Sequence, residues 1–539
     1  MSLLVDETTQ ALNSTLAWEV ARHRTFAIIS HPDAGKTTLT EKLLLYVGAV
    51  DLAGAVRART DQRHTTSDWM TMEQERGISV SATALEMEYR GFRINLLDTP
   101  GHQDFSEDTY RTLMAVDSAV MVLDAAKGIE PQTVKLFHVC RMRGIPIITF
   151  INKMDQQGRD PLDLLDEIER ILGMAATPFN WPIGDGPWFQ GVYDLRNDRV
   201  LQYERTSRGQ RRAPVNVSGM NDPALAEMLG QDAARSLQEH VALLGGAGSA
   251  FNRDAFLRGE MTPVFFGSAL NNFGLEPFLE GLLELAPPPG PRESDRGMIA
   301  PTDETFTGFV FKIQANMDPK HRDRMAFLRV CSGRFEKDMT VHHSRLGRSM
   351  RLSRAYRLFG RERESIEEAF PGDVVGLVSP GLFAIGDTVT DGEPVRFPGI
   401  PRFAPENFAV ILNHDISRYK QFHKGLTQLE EEGAAQVLHA LGDMGRRPIL
   451  AVVGELQFDV VLARLLDEYN VEARLERLPH TCARWISGPD AALERLGHPR
   501  GGSLRCTDRR DQPVLLFESQ WNLDYCRKEN PELVFSEMS

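Results

Sequence analysis

A phosphate-loop sequence near the start of the chain constrains the fold more than any other feature. The octapeptide SHPDAGKT at residues 30–37 follows the apolar run Thr25–Ile29 and precedes a helical stretch over residues 38–47. Such a loop binds anions where a strand delivers it to the start of a helix, because free backbone N–H groups and the helix dipole both attract negative charge. The segment therefore predicts a strand, an anion-binding loop and a helix, which together form the first unit of a parallel α/β sheet.

Within that loop, Lys36 can place its positive charge on the β and γ phosphates of a nucleotide, and the Thr37 hydroxyl can ligate Mg²⁺. Ser30 stands where the usual GxxxxGK[ST] pattern has its first glycine, so a small residue is kept without the conformational freedom of glycine. Taken alone, the octapeptide leaves open an ordinary helix start that happens to contain Gly-Lys-Thr. The candidate phosphate-binding residues of the loop are Ser30, His31, Pro32, Asp33, Ala34, Gly35, Lys36, Thr37 and Thr38.

Later apolar runs also end at polar loops, as in a parallel sheet with ligands at its carboxyl edge. They predict strands at Ile94–Leu97, Ala119–Leu123, Pro146–Ile151 and Val264–Gly267.

The pentapeptide DTPGH follows the first of these strands. Asp98 would hold Mg²⁺ through water, and Gly101 would meet the γ-phosphate and move when that phosphate leaves. His102 would orient the attacking water, since phosphoryl transfer mainly requires positioning and charge stabilisation. Alone, the pentapeptide could be a simple strand-to-loop turn. Its candidate phosphate-site residues are Asp98, Thr99, Pro100 and Gly101.

The polar stretch Met72–Ser79 precedes a strand expected near Val80–Met87. It fits a mobile loop whose Ser79 hydroxyl reaches Mg²⁺ only while the γ-phosphate is present. A solvated helix face is the alternative for a stretch this rich in Glu and Arg.

The tetrapeptide NKMD at residues 152–155 indicates guanine. A fixed carboxylate such as Asp155 can accept hydrogen bonds from the N1–H and the 2-amino group of guanine, and adenine has neither donor. Because a buried unpaired acceptor is costly, such a site can reject the wrong base by about 10⁴ or more. Lys153 can lay its apolar stem across the base, and backbone N–H groups of Gly267-Ser268-Ala269 can donate to guanine O6. The candidate guanine-binding residues are Asn152, Lys153, Met154, Asp155, Ser268 and Ala269.

With these motifs in this order, residues about 20–290 resemble the G domain of the translational GTPases. The shared features are the DxAGKT loop, an RGIS/RGIT switch and DTPGH. The resemblance implies that His102 is catalytic and that an apolar pair, Pro32 and Ile78, flanks it as a hydrophobic gate. Ser79 departs from the threonine of most members, but its hydroxyl still permits metal ligation.

More specific segments resemble the GTP-dependent peptide chain release factors of bacteria, close to elongation factor G. They include residues 105–113 (FSEDTYRTL) and 309–319 (FVFKIQANMDP), and the resemblance covers essentially the whole chain. It implies a ribosome-activated GTPase, using GTP/GDP and Mg²⁺, that speeds departure of the class I, codon-reading release factors after the peptide is freed. The chain has no Gly-Gly-Gln tripeptide, consistent with a protein that does not cleave the peptidyl ester itself.

Length and pattern predict a multidomain α/β protein, since 539 residues exceed one core. We expect a P-loop GTP-binding domain with a doubly wound sheet at 1–292, with an insertion around 157–260 to which the sequence assigns no chemistry. An antiparallel β-barrel is expected at 303–396. An α/β domain is expected at 402–539, which the resemblance makes ferredoxin-like. No internal repeat is visible in the sequence.

The net charge of −14 argues weakly against nucleic acid as a partner. However, residues 320–363 hold thirteen Lys and Arg against four acids, which makes this segment a candidate contact for RNA. A solvated face is the alternative. The arginines at 345, 348, 351, 354 and 357 would align on a helix, which conflicts with the barrel predicted there.

No signal peptide or long apolar run is present, so we expect a cytoplasmic protein without a membrane partner, monomeric off the ribosome. The five scattered cysteines suggest neither a disulfide framework nor a zinc site. The first rival is a translocase or ribosome-protection factor. Both need domains beyond a third one, whereas this sequence ends at Ser539. The second rival is a ribosome-binding scaffold with little or no GTP hydrolysis, against which His102 argues.

Overall fold

The structure, a computed structural model, describes residues 15–48, 73, 79–204, 211–212, 219–220, 222, 224–247, 250–315, 323–359, 362–378, 381–400, 402–441, 447–496 and 502–537. Among the helices in these ranges, none combines the length and apolar character needed to span a membrane.

The first domain is built on a mostly parallel sheet. The strands of the domain, four of which (β7 to β10) form a separate sheet, are β1 (His23–Ser30), β2 (Thr83–Tyr89), β3 (Phe92–Asp98), β4 (Ser118–Asp124), β5 (Ile147–Asn152), β6 (Ala175–Pro178), β7 (Asn180–Ile183), β8 (Gly191–Asp194), β9 (Arg199–Glu204), β10 (Arg211–Arg212) and β11 (Met261–Phe266). Its helices are α1 (Thr15–Arg22), α2 (Lys36–Tyr46), α3 (Ser106–Leu113), α4 (Pro131–Met142), α5 (Pro161–Leu172), α6 (Ala224–Leu229), α7 (Gln231–Ala247), α8 (Arg253–Leu257) and α9 (Leu275–Leu285).

The main sheet has the order β2-β3-β1-β4-β5-β11-β6, and β2 is antiparallel to its neighbour β3. The predicted strands are confirmed, with ends shifted by at most three residues. Alternate residues of β1 enter different cores: Phe26 and Ile28 pack with α2 and α9, whereas Ala27 and Ile29 pack with α4 and α5. Helices therefore cover both faces, and the doubly wound sheet is confirmed. Burial on both faces explains why the strands are continuous apolar runs.

Residues 157–260 contribute more than the edge strand of this sheet. After β6, the chain forms a separate antiparallel sheet in the order β10-β9-β8-β7 and then α6, α7 and α8. The side chains of this second sheet share a core with the end of β11.

The second domain consists of antiparallel strands. They are β12 (Arg292–Ser294), β13 (Gly297–Ile299), β14 (Thr307–Ala315), β15 (Arg324–Ser332), β16 (Phe335–Glu336), β17 (Thr340–His343), β18 (Arg348–Arg351), β19 (Ala355–Phe359), β20 (Glu362–Ser365), β21 (Glu368–Ala369), β22 (Val374–Val378) and β23 (Thr388–Thr390). Because β19 pairs with β2 through Phe359 and Leu85, the sheets of the two domains are continuous.

The helical alternative for the arginine series is wrong. Arg348 and Arg351 lie at the two ends of β18 and Arg357 lies on β19, while Arg345 and Arg354 lie in the turns before and after β18. The spacing of three arises from short strands separated by turns.

The third domain contains two βαββαβ units. The first is β24 (Asn407–Asn413), α10 (Tyr419–Glu431), β25 (Gln436–Ala440), β26 (Pro448–Val452), α11 (Leu456–Tyr469) and β27 (Ala473–Arg477). The second is β28 (Cys482–Ser487), α12 (Asp490–Arg495), β29 (Ser503–Thr507), β30 (Pro513–Phe517), α13 (Gln520–Glu529) and β31 (Val534–Ser536).

Each unit has the strand order of a ferredoxin-like fold, and together they form one sheet in the order β27-β24-β26-β25-β29-β30-β28-β31. The two units join where β25 pairs with β29. The ferredoxin-like expectation is confirmed, but the duplication was missed because the two halves share topology without a visible sequence repeat.

Candidate nucleotide site

The phosphate loop connects β1 to α2 with the geometry that the sequence predicts. Gly35 has φ of +94° and precedes the first residue of α2. A Cβ on Gly35 would lie 2.3 Å from Asn152 Nδ2, so the close approach of two loops also requires glycine here. The loop therefore presents the N-terminus of an eleven-residue helix, which favours anions.

Lys36 and Asp98 meet in the interior of the site. The Lys36 Nζ lies 2.6 Å from Asp98 Oδ1, and the two residues are 6% and 3% exposed. Asp98 ends β3, and its partner in the β1–β3 register is Ile28. The Thr99 hydroxyl donates to the Ile28 carbonyl at 2.7 Å, which ties the loop after β3 to β1.

The DTPGH loop continues across the phosphate loop. A Cβ on Gly101 would lie 3.6 Å from Pro32 Cα and 3.9 Å from Lys36 Cε. The structure thus brings together the two segments that were predicted to hold the β and γ phosphates.

The residues present fit a magnesium–nucleotide complex. Thr37 lies in the first turn of α2, next to Lys36 of the Lys36–Asp98 pair, and Ser79 is half-buried. The described residues contain no group of three or more His, Cys, Asp or Glu side chains placed to hold a metal ion. Mg²⁺ prefers oxygen ligands, and Thr37 supplies a hydroxyl and Asp98 a carboxylate in this part of the site.

Two loops, called here the base loops, lie at the carboxyl ends of β5 and β11: residues 152–155, which begin with the last residue of β5, and residues 267–269. Asn152 connects them to the phosphate loop, because its Nδ2 donates to the Ala34 carbonyl and its Oδ1 accepts from the Ala269 N–H, both at 2.9 Å. The Met154 N–H also donates to the Gly267 carbonyl at 3.1 Å. Asn152 therefore positions the loops around the site. Asp155, the last residue of the first base loop, is half-buried, and Ser268 and Ala269 of the second are buried.

Lys153 also connects the first base loop to the phosphate loop. Its φ is +67°, and its Nζ donates to the Asp33 carbonyl at 2.6 Å and to Asp124 Oδ2 at 2.8 Å. Burial raises the pKa of Asp124, but hydrogen bonds from Lys153 and the Ala126 N–H outweigh that effect, so its pKa lies below the ordinary value. Sequence reasoning missed Asp124, although its place at the end of a buried strand before a polar loop was a usable signal.

His102 lies at the start of the short 3-10 turn Gln103–Phe105. Its Nδ1 accepts from the Asp104 N–H at 3.2 Å and lies 3.2 Å from Asp104 Oδ1, and its side chain is 29% exposed. The other carboxylate oxygen of Asp104 accepts from the Leu456 N–H at 2.8 Å, at the start of α11. One acidic residue thus contacts both the candidate catalytic histidine and the third domain. Of the predicted hydrophobic gate, Pro32 borders Gly101, and Ile78 lies outside the described residues.

Helix α3, which follows this turn, is bound to both other domains. Glu107 accepts from the Phe403 N–H at 3.0 Å, and Arg111 donates to the Gly433 carbonyl at 3.2 Å. Lys312 of β14 lies 3.7 Å from Asp108 and donates to the Ala82 carbonyl, just after the predicted mobile loop. Burial lowers the pKa of Lys312, as expected for an ammonium group removed from water. Residues 105–113 and 309–319 were singled out in the sequence for their resemblance to a family, but none of these interdomain contacts was predicted.

Acidic side chains of the same chain neutralise much of the positive charge of the basic segment, residues 320–363. Arg345 pairs with Asp387 at 2.6 Å, Arg351 with Asp338 at 3.2 Å, and Arg357 with Glu86 at 3.1 Å. Arg348 and Arg354 are exposed and form no ion pair with any residue that the structure describes. These two arginines are therefore the best candidates in the series for contact with RNA phosphates.

Three family models match the chain. The model for the Elongation factor Tu GTP binding domain matches residues 21–288, and the model for Elongation factor G domain 2 matches residues 305–392. The model for the Class II release factor RF3, C-terminal domain matches residues 397–527. The third match favours the release-factor interpretation over a translocase or a ribosome-protection factor.

Similar proteins cover nearly the full chain. Peptide chain release factor 3 of Gloeobacter violaceus is 57% identical over 528 residues, which are 98% of this chain and 99% of that protein. The proteins of the same name from a Cyanothece species and from Trichodesmium erythraeum are 55% and 54% identical, over 98% and 97% of this chain and 97% and 96% of their own lengths.

A crystal structure of a protein from Thermus thermophilus has the same fold, with a TM-score of 0.66 and 24% identity over 90% of this chain and 72% of that one. The sequence relatives, the matched GTPase domain and the matched C-terminal domain agree on activity as well as ancestry. The chain belongs to the peptide chain release factor 3 family, and it is a guanine-nucleotide-binding enzyme of translation termination that hydrolyses GTP.

Proposed function

We propose that this GTPase acts on the terminating ribosome, where GTP drives the departure of a bound class I release factor after the peptide has been freed. Its partners are the ribosome and the class I factor, and it works in the cytoplasm as a monomer when off the ribosome. The resemblance of the whole chain to release factor 3 supports this role.

The nucleotide would lie along the carboxyl edge of the sheet. Residues 30–38 would surround the phosphates, Lys36 would leave Asp98 to contact the β and γ phosphates, and Asp155 would bind the guanine edge. Mg²⁺, when bound through Thr37, Ser79 and Asp98, would neutralise part of the phosphate charge.

In the hydrolytic step, His102 would hold a water molecule in line with the γ-phosphorus. The water oxygen forms a bond to phosphorus as the bond to the β,γ-bridging oxygen breaks, which yields GDP and phosphate. Pro32 and Ile78 would keep the histidine away from the phosphate until the ribosome rearranges them.

Asp104 carries the proposed link between hydrolysis and factor release. It forms one hydrogen bond with His102 and another with the Leu456 N–H of the third domain. If the DTPGH loop moves when the γ-phosphate leaves, it would displace Asp104 and its hydrogen bond to Leu456. The position of the third domain would then depend on the bound nucleotide.

The proposed function predicts a specific kinetic effect. On ribosomes carrying a fluorescent class I release factor after peptide release, this protein with GTP should speed dissociation of the factor by tenfold or more, a fold-change on the order of 1.4 kcal/mol in barrier height. ATP should give the rate seen without the protein. A factor that leaves equally fast with either nucleotide, or no faster than by itself, would contradict the proposal.

A second prediction concerns Arg348 and Arg354, the exposed arginines that form no ion pair within the described part of the chain. Because each phosphate contact adds about 0.7–0.9 to the salt dependence of binding, replacing Arg348 and Arg354 by alanine should flatten the plot of log affinity for ribosomes against log salt. A matched double variant, Arg170→Ala with Arg258→Ala, removes the same charge from exposed positions of the first domain and should keep the wild-type slope. Equal slopes in all three proteins would exclude phosphate contact by this pair.

A further inference from the structure

The insertion at residues 157–260, to which no chemistry is assigned, contacts the first base loop and the residues Phe266 and Phe273 on either side of the second. Its edge strand β6 pairs with β11 as far as Pro178 and Val264, and then leaves the sheet. Beyond that point, the Asn180 side chain continues the series of hydrogen bonds along this edge of β11. Its Nδ2 donates to the Phe266 carbonyl at 3.0 Å, and its Oδ1 accepts from the Phe266 N–H at 2.7 Å.

The Asn180 carboxamide thus takes the place of the backbone peptide group that a neighbouring strand would offer to the end of β11. Asn180 and Phe266 are both 0% exposed, so loss of the carboxamide would leave a backbone donor and acceptor buried without partners. Phe266 directly precedes residues 267–269, the second base loop, and the N–H of Ala269 in that loop is bonded to Asn152 of the first.

Three aromatic side chains of the insertion pack on Phe266 and Phe273, which lie on either side of the same loop. Trp181 packs edge-on against Phe266 with ring centroids 5.4 Å apart. Phe189 lies 5.5 Å from Phe273, and Tyr203 stacks on Phe273 at 4.8 Å. Phe273 in turn exchanges two backbone hydrogen bonds with Ser268.

The insertion also reaches the first base loop directly. The Gly186 N–H donates to the Met154 carbonyl at 3.0 Å, next to Asp155. A Cβ on Gly186 would lie 3.4 Å from the Gln157 nitrogen, so the turn is packed closely against the chain that leaves this loop.

We infer that the insertion is a brace that fixes the geometry of the guanine pocket, with Asn180 as the positioning residue for base selectivity. The inference rests on the guanine site proposed above. Selectivity depends on holding acceptors and donors within hydrogen-bond range of one base edge, so freedom in either loop weakens discrimination more than it weakens phosphate binding. Asn180 itself touches no nucleotide, and it acts through Phe266.

The test compares nucleotide selectivity with stability. Asn180→Asp keeps the size and one acceptor but sets a carboxylate against the Phe266 carbonyl. It should speed GDP dissociation about tenfold and lower the affinity ratio of GDP over IDP, which lacks the 2-amino group, by about threefold or more. Tyr203→Leu, which removes the ring that stacks on Phe273, should shift the same ratio in the same direction, and Tyr203→Phe, which keeps the ring, should restore it.

A matched control separates positioning from stability. Thr262 lies at the start of β11, is fully buried, and hydrogen-bonds Thr149 at 2.9 Å and the Ile147 carbonyl at 2.8 Å. Thr262→Val should lower the unfolding temperature and leave the GDP/IDP ratio unchanged.

The inference is overturned if Asn180→Asp and Tyr203→Leu, folded by circular dichroism, both keep the wild-type ratio, or if Thr262→Val changes it equally. If Asn180→Asp does not fold, the GDP/IDP ratios of Tyr203→Leu and Tyr203→Phe test the inference. A wild-type protein that does not prefer GDP over IDP and ADP would instead refute the guanine site itself.

Discussion

Replacing His102 by alanine should lower ribosome-stimulated GTP hydrolysis by a factor of about 10² or more, while GTP binding stays near the wild-type level. The reason lies in where the side chain is held. His102 follows the strand that delivers Asp98 and lies one residue beyond Gly101, which borders the phosphate loop. It makes none of the hydrogen bonds that link the phosphate loop to the base loops, so its removal should spare the binding pocket.

Single-turnover hydrolysis on ribosomes, with nucleotide affinity measured separately by fluorescence, tests this expectation. His138→Ala is the matched control, because His138 is an exposed histidine of α4 in the same domain, and its loss should leave turnover unchanged. If His102→Ala instead loses affinity for GTP, the histidine is structural and the catalytic role is wrong.

The second large effect is expected at Asp155. Asp155→Asn replaces an acceptor by a donor at the guanine 2-amino group, so affinity for GDP and GTP should fall by about 10² or more. Xanthine nucleotides carry a carbonyl at that position, which the new amide can bond, so their affinity should rise. Equilibrium binding of GDP and XDP measures both changes.

Asp163→Asn provides the control for this substitution, since Asp163 is an exposed carboxylate on α5 of the same domain. It should leave both affinities at their wild-type values. Equal loss of GDP and XDP binding by Asp155→Asn would mean that Asp155 supports the loop and does not contact the base.

Local patterns predicted the part of the fold that local forces determine. β1, β4 and β5 are buried along their whole length, and the resulting unbroken apolar runs are visible in the sequence. The phosphate loop was also predictable, because Gly35 and Lys36 are required within a few residues of each other.

Contacts between distant segments were not predictable in this way. Asn180 bonds Phe266 across 86 residues, and Asp104 bonds Leu456 across 352. Isolated polar residues of this kind carry no periodic signal, and only the folded chain shows that each satisfies a buried or interdomain backbone group. The duplication in the third domain escaped notice for a related reason, since many sequences satisfy one βαββαβ topology.

The arginine series illustrates a misleading local pattern. Residues 345–357 have a helical spacing of arginines, but the segment contains β18 and part of β19, whose backbones pair with β17 and β22. Pairing with strands from other parts of the chain outweighs the arrangement of solvated charges, so charge spacing is the weaker guide.

The most direct test of the central claim is the departure rate of a class I release factor from ribosomes, measured with GTP or XTP and with the wild-type or Asp155→Asn protein. The proposed mechanism predicts rapid departure for the wild type only with GTP, and for the variant preferentially with XTP, because the bound base selects the nucleotide whose hydrolysis drives the change. Departure that is independent of the nucleotide in both proteins, or driven by GTP equally in both, would contradict it.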